Sequence, residues 1–455
     1  MIKNKLIAAT LLSFTACASD TDDKMMDDPM PTAFKLRIDN IAPWTVLKSG
    51  VQATKTNGTT GALAMGQAYE ISFTAGRNQR VSFASMLGES NDWFFAPGPD
   101  GIALYDAQGN PVSGDVTGYV KLWDAGTEID QEPAVGDAVG PRQPAPDFGA
   151  ADPNPTVREL YGQVTLTDGS KFTLPSIASM IRVTLTPGAN RTFTLRIENV
   201  STTSTLVTSV GGRDIHVSPP VWALHIAPAP LFTPGEADRA QGLELVAESG
   251  RFPTLQGSMR ALAGWPTPIS PGVYAVHDAP EPLYALGLVD RNQGLERLAE
   301  DGNNGVLADA MMGIAAGGMV ADAGAFEVPA DLDMRAPARP GQAYELTVAG
   351  LPGEYLSFAT MFGMSDDWFF ATVPEGIALF DAWGMPMTGD VTDRIALYDA
   401  GTEVDQEPAI GPDTGPQQPA PNTGAADPVR NVREVPQAIY GVPASGHLKI
   451  TLLPQ

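Results

Sequence analysis

The sequence predicts an all-β protein built of two tandem antiparallel β-sandwiches. Three observations lead there. The 455 residues include 47 glycines and 40 prolines, too much turn chemistry for a helical bundle. Short segments of alternating apolar and polar residues recur between those turns, the period of half-buried strands. Finally, residues 69–124 repeat as 344–399 at an offset of 275, so one sandwich is followed by another. A hydrophobic content of 43% supports burial of a sizeable core, and the length fits two domains.

Taken in order, the chain opens with Lys3 and Lys5, an apolar run over residues 6–14, and Thr15-Ala16-Cys17. The run is too short to span a bilayer. The arrangement resembles a bacterial lipoprotein signal, residues 1–16, with Cys17 as the lipidated first residue of the mature chain. Cys17 is the only cysteine, so no intramolecular disulfide can form. Ala18 leans the expectation towards an outer-membrane lipoprotein of the cell envelope, secreted if the lipidation signal is not used. Residues 17–31 hold Asp20, Asp22, Asp23, Asp27 and Asp28 and read as an acidic flexible tether.

Matched strands follow. Residues 34–39 (FKLRID) repeat as 193–198 (FTLRIE), 69–74 as 344–348, 81–86 as 356–361, 102–105 as 377–380 and 120–123 as 395–398. Each copy closes on a strand, at 181–185 and 448–452. The expected domains are residues 32–187 and 190–455. The second carries an insert, 199–343, expected to be loops and short helices packed on one end of the second sandwich, with its own weaker duplication. Ser218-Pro-Pro-Val-Trp-Ala-Leu-His225 matches Ser270-Pro-Gly-Val-Tyr-Ala-Val-His277, and Gly242 to Gly250 matches Gly294 to Gly302. The latter pair reads as a short helix ended by glycine. His225 and His277 lack an acid or cysteine at ligand spacing and read as packing residues.

Two motifs carry the chemistry. A Ser-x-Asp-Trp-Phe-Phe box places Asp92 and Asp367, and 32 residues later Asp-Ala-Gly-Thr-Glu places Asp124 and Asp399. Carboxylates from two loops can supply the hard oxygen ligands that calcium needs. Three or four unpaired carboxylates in one place repel each other unless a cation sits among them. Trp93 and Trp368 read as core beneath the loop. Acidic residues number 53 against 28 basic, a net charge of −25 that disfavours nucleic-acid partners. No His-Glu-x-x-His, Gly-x-Ser-x-Gly or phosphate-binding loop is present.

Together, Ser-x-Asp-Trp, Gly-Ile-Ala-Leu-(Tyr/Phe)-Asp and (Trp/Tyr)-Asp-Ala-Gly-Thr-Glu resemble the spondin domain of extracellular-matrix and bacterial secreted proteins. The resemblance covers nearly all of 190–455. In 32–187 it covers the first strand and then residue 69 onward, as in a trimmed copy. It implies jelly-roll-type sandwiches, each binding one calcium ion. The implied ligands are Asp92, Asp124 and Glu128 in the first copy and Asp367, Asp399 and Glu403 in the second. The family commonly has Asp where Glu128 and Glu403 stand, and Asp130 and Asp405, two residues on, are added as candidates. The second site is expected to be the tighter, covered by an insert that the first copy lacks. The functional expectation is a non-enzymatic binding or adhesion module for an extracellular protein or glycan, held at the membrane by its lipid alone. The alternatives are an envelope hydrolase using the acidic cluster, or a purely structural envelope protein.

Overall fold

The computed structural model describes residues 30–436 and 443–455. The expected signal, Cys17 and the tether up to residue 29 lie outside the described residues. In chain order the first elements are β1 (Thr32–Asn40), β2 (Val46–Val51), β3 (Ala68–Thr74), β4 (Arg80–Met86), β5 (Trp93–Pro97) and β6 (Gly114–Asp115). Then come β7 (Val120–Asp124), β8 (Arg158–Leu160), β9 (Ile181–Pro187), β10 (Thr192–Asn199), β11 (Val221–His225), α1 (Leu243–Ser249) and α2 (Pro253–Ala261). The second half runs β12 (Gly272–His277), α3 (Leu295–Asp301), α4 (Gly305–Ala316), β13 (Asp322–Phe326), β14 (Ala343–Gly350) and β15 (Tyr355–Met361). It closes with β16 (Trp368–Thr372), β17 (Gly389–Asp390), β18 (Ile395–Asp399), β19 (Arg433–Glu434) and β20 (Leu448–Pro454).

These strands form an all-β, antiparallel sandwich architecture. One seven-stranded sheet runs β2-β11-β4-β5-β7-β8, with Ile102–Ala103 pairing beside β4. Its counterpart runs β13-β12-β15-β16-β18-β19, with Ile377–Ala378 beside β15. Each is accompanied by a four-stranded sheet, β3-β10-β9-β6 and β14-β1-β20-β17. The period-two pattern is the cause. In β1 and β10 alternate residues (Phe34, Leu36, Ile38; Phe193, Leu195, Ile197) are buried, each contributing roughly 2 kcal/mol of apolar burial.

The sheets do not follow the boundary expected at 187–190. The first strand, β1, pairs with β14 and β20 and so completes the second sandwich. Strand β10 folds back by a short turn onto β9 and pairs with β3 in the first. The expected insert 199–343 is not only loops and short helices, since it supplies β11, β12 and β13 to the large sheets, and it is also divided. Its first half, β11-α1-α2, lies on the first sandwich, with Leu243, Val246, Leu255 and Met259 in one core with Phe94 and Trp123. Its second half, β12-α3-α4, lies on the second, with Leu295, Leu298, Leu307 and Met311 against Phe369 and Tyr398. The first copy is therefore not trimmed. It takes its missing elements from downstream in the chain. The physical reason is the tightness of the β9–β10 turn, which keeps β10 beside β9 and leaves the place between β14 and β20 to β1.

Candidate functional site

Each acidic site is built on a loop before an inner strand. In the first copy Ser90 Oγ accepts from Trp93 N at 3.1 Å and donates to the Leu87 carbonyl at 2.7 Å. That turn aims Asp92 at the loop that follows β7. Asp92 Oδ2 accepts three hydrogen bonds from it: Thr127 N at 2.7 Å, Thr127 Oγ1 at 2.9 Å and Glu128 N at 3.0 Å. The second copy repeats this with Ser365 and Asp367, whose Oδ2 accepts from Thr402 N, Thr402 Oγ1 and Glu403 N at 2.7, 2.8 and 3.0 Å. The other oxygen, Oδ1 of Asp92 and of Asp367, is buried with no hydrogen-bond partner.

The Asp-Ala-Gly-Thr turn supplies the second carboxylate. Asp124 Oδ1 accepts from Gly126 N at 2.6 Å and Asp399 Oδ1 from Gly401 N at 2.5 Å. Gly126 and Gly401 take φ of +74° and +70°, and a side chain at either would collide with the backbone at Thr156 or Asn431. The indole N–H of Trp93 donates to Asp130 Oδ1 at 2.6 Å, and that of Trp368 to Asp405 Oδ1 at 2.7 Å. These tryptophans are core residues whose polar edge also orients the site.

The structure divides the candidate ligands. Ligand oxygens of Asp92, Asp124 and Asp130 lie within 4.8 Å of one another, as do those of Asp366, Asp367 and Asp405. Asp399 adjoins the second group through Arg433, which pairs with both Asp399 and Asp405. Glu128 and Glu403 turn the other way, accepting from Gly149 N at 2.6 Å and Gly424 N at 2.8 Å. There they face the proline-rich segments and a buried glutamate of the helices, Glu248 or Glu300. Glu248 lies 3.4 Å from Thr127 Oγ1, whose proton goes to Asp92, and accepts from Asp147 N at 3.1 Å.

Sequence reading missed the arginines. Arg158 Nη2 contacts Asp124 Oδ2, lies 2.5 Å from Asp152 Oδ2 and is 3.9 Å from Asp130 Oδ2. Arg433 repeats this with Asp399, with Asp427 at 2.5 Å and with Asp405 at 3.6 Å. The signal was available: each arginine stands 34 residues after the aspartate of Asp-Ala-Gly-Thr in its copy. Also missed was Asp366, fully buried, where the first copy has Asn91.

Burial, followed by the charges of Asp92 and Asp130, pushes the Asp124 carboxyl up to about 9 against the pull of Arg158. Burial likewise raises Asp130 to about 6, Asp366 to about 8 and Asp399 to about 8, and it raises Asp92, Asp367, Glu128 and Glu403. One guanidinium in each copy faces an excess of carboxylate. Such an arrangement can hold a hard divalent cation. The histidines play no part in it. His225 and His277 are buried, bonded through Nδ1 to the Ala227 and Ala279 carbonyls and through Nε2 to Ser82 and Ser357 hydroxyls.

Searched against known protein families and against curated proteins, the chain finds no match.

Proposed function

We propose that this chain is a cell-envelope binding module whose two sandwiches each hold one calcium ion, consistent with its resemblance to spondin domains. The observation that carries the reading is the pair of buried, unpartnered oxygens, Asp92 Oδ1 and Asp367 Oδ1, each inside a three-carboxylate group that a single arginine cannot neutralise. Asp92, Asp124 and Asp130 would hold the ion in the first copy, and Asp366, Asp367 and Asp405, with Asp399, in the second. A bound ion would supply positive charge and tie the Ser-x-Asp-Trp turn to the Asp-Ala-Gly-Thr turn. Lipidation at Cys17 would fix the module to the membrane, leaving the sandwiches to bind an extracellular protein or glycan.

Extracellular modules bind calcium with dissociation constants of roughly 10⁻⁴–10⁻³ M. At tenfold excess, binding would add about 1.4 kcal/mol per site. The test is thermal unfolding and calorimetric titration of the full chain with calcium or chelator. Wild type should be stabilised, and the double variant Asp92→Asn/Asp367→Asn should not. A wild-type chain indifferent to millimolar calcium would end the metal reading. Screening on immobilised glycans and matrix proteins with and without chelator addresses the partner, and Cys17→Ser should move the protein to a soluble fraction.

A further inference from the structure

The two four-stranded sheets contain the same cradle filled by two different strands. In the first, β10 lies between β3 and β9, with Phe193, Leu195 and Ile197 opposite Phe73, Ile71 and Tyr69 on one side. On the other side they face Pro187, Leu185 and Val183. In the second, β1 lies between β14 and β20. Phe34, Leu36 and Ile38 stand opposite Val348, Leu346 and Tyr344, and opposite Pro454, Leu452 and Ile450. The end of each strand is pinned alike. Asn199 Nδ2 donates to the Leu63 and Ile215 carbonyls at 3.3 and 2.7 Å, and Asn40 Nδ2 to the Thr267 and Ala338 carbonyls at 2.9 and 3.0 Å.

The difference is in how the strands arrive. Strand β10 is tied to β9 by a tight turn, whereas β1 reaches its cradle from the far end of the chain, about 300 positions from β14. Its only described covalent tie is the five residues 41–45, which include Pro43. A strand in a cradle makes the same contacts whichever chain supplies it, and a short hinge favours exchange between copies.

We propose that the groove between β14 and β20 is a strand-acceptor site that takes β1 of a second copy of this chain, so that two copies pair by reciprocal exchange of Thr32–Asn40. Both strands of the acceptor run antiparallel to the donor, so the donor keeps the same two ladders in the paired form as in the single chain. The exchange is closed and two-fold, because each copy gives one β1 and receives one.

Arg37 and Glu345 are register partners, and their side chains meet at 2.6 Å near the surface. In a Cys17→Ser background, Arg37→Cys and Glu345→Cys are made in separate chains and in one chain together. The separate variants are unfolded in urea, mixed, and refolded together at high concentration under oxidising conditions. The expected result is a covalent 37–345 dimer on a non-reducing gel, several-fold above that from either variant refolded alone. No excess of dimer in the mixture, with the doubly substituted chain closing its disulfide internally, overturns the proposal. Failure of the doubly substituted chain to form a 37–345 disulfide either within one chain or between two would overturn it as well, because the register on which it rests would then be wrong.

Discussion

Arg158 and Arg433 hold carboxylates that would otherwise be buried unpaired. Removing one partner of such a pair costs roughly 3 kcal/mol, because the charge left behind has no compensation. Arg433→Met should therefore lower the unfolding free energy by about that amount in chelator, with millimolar calcium restoring part of it. Denaturant unfolding with and without calcium measures both effects. Asp366 stands where the first copy has Asn91, and with Asp399 adjoining through Arg433 the second site has four carboxylates against three in the first. Calcium affinity follows ligand charge, so the second site should be the tighter by about tenfold, and Asp366→Asn should remove the difference. The expected ordering thus rests on this residue and not on the insert, since each sandwich receives half of it. Site-resolved titration followed by nuclear magnetic resonance would detect the change.

The same residues set the pH dependence. Without metal, Asp124 at about 9 and Asp366 and Asp399 at about 8 lie above their unfolded values. Their folded forms bind more protons than the unfolded chain, so their contribution is present in acid and lost as pH rises through those values. His225 and His447, each lowered by burial to about 4, act oppositely: their contribution is present above the ordinary histidine value and lost as pH falls towards 4. The raised carboxyls outnumber the lowered histidines, so in chelator the melting temperature should fall as pH rises, with the histidines flattening the acid end. Calcium should lift the alkaline side by displacing protons. Melting curves between about pH 5 and pH 9, with and without calcium, test the sign.

At the scale of elements, the short helices bring one glutamate each to the loops. Gly250 and Gly302 end α1 and α3 with φ of +66° and +71°. Backbone bonds from Gly250 to Val246 and from Arg251 to Leu245 close the first, and Gly302 to Leu298 with Asn303 to Arg297 the second. The exchange of β1 and β10 makes a sharper prediction. Leu36→Ala creates a core cavity costing about 3 kcal/mol, and the loss should appear in the second sandwich. Hydrogen exchange should show lower protection in β14 and β20, while β3 and β9 stay protected. Leu195→Ala should do the reverse.

For the whole molecule, the loop that follows the second site is also the joint between sandwiches. Glu407 pairs with Lys48 and accepts from Thr74 Oγ1 at 3.0 Å, Gln79 Nε2 donates to the Ala409 carbonyl at 2.8 Å, and Arg191 Nη1 to the Ile410 carbonyl at 2.6 Å. The sheets also say where the chain divides. Residues 41–262 contain every strand of the first sandwich and its helices, so that fragment should fold alone. Residues 32–187 lack β10 and β11, leaving two central places empty, and should not. Circular dichroism and thermal unfolding of the two fragments decide between these divisions.

Although β5, β16, β11 and β12 went unread as strands, the sequence by itself determined the all-β class, the positions of the matched strands and the pairing of two acidic turns in each copy. Those follow from local period, turn residues and a constant offset, all of which a linear reading contains. Only the tertiary structure decided which sandwich each strand joins. The strands of residues 34–39 and 193–198 carry the same pattern and fit either cradle, so composition cannot choose between them; the tight β9–β10 turn does. It also decided which carboxylates converge. Two residues of spacing separate Glu128 from Asp130, but the turn at Gly126 directs one to Gly149 and the other to Trp93 and Arg158. Arg158 arrives from an adjacent strand, β8, whose pairing with β7 places it against Asp124. Proximity across a sheet is set by register, and register is a property of the folded chain.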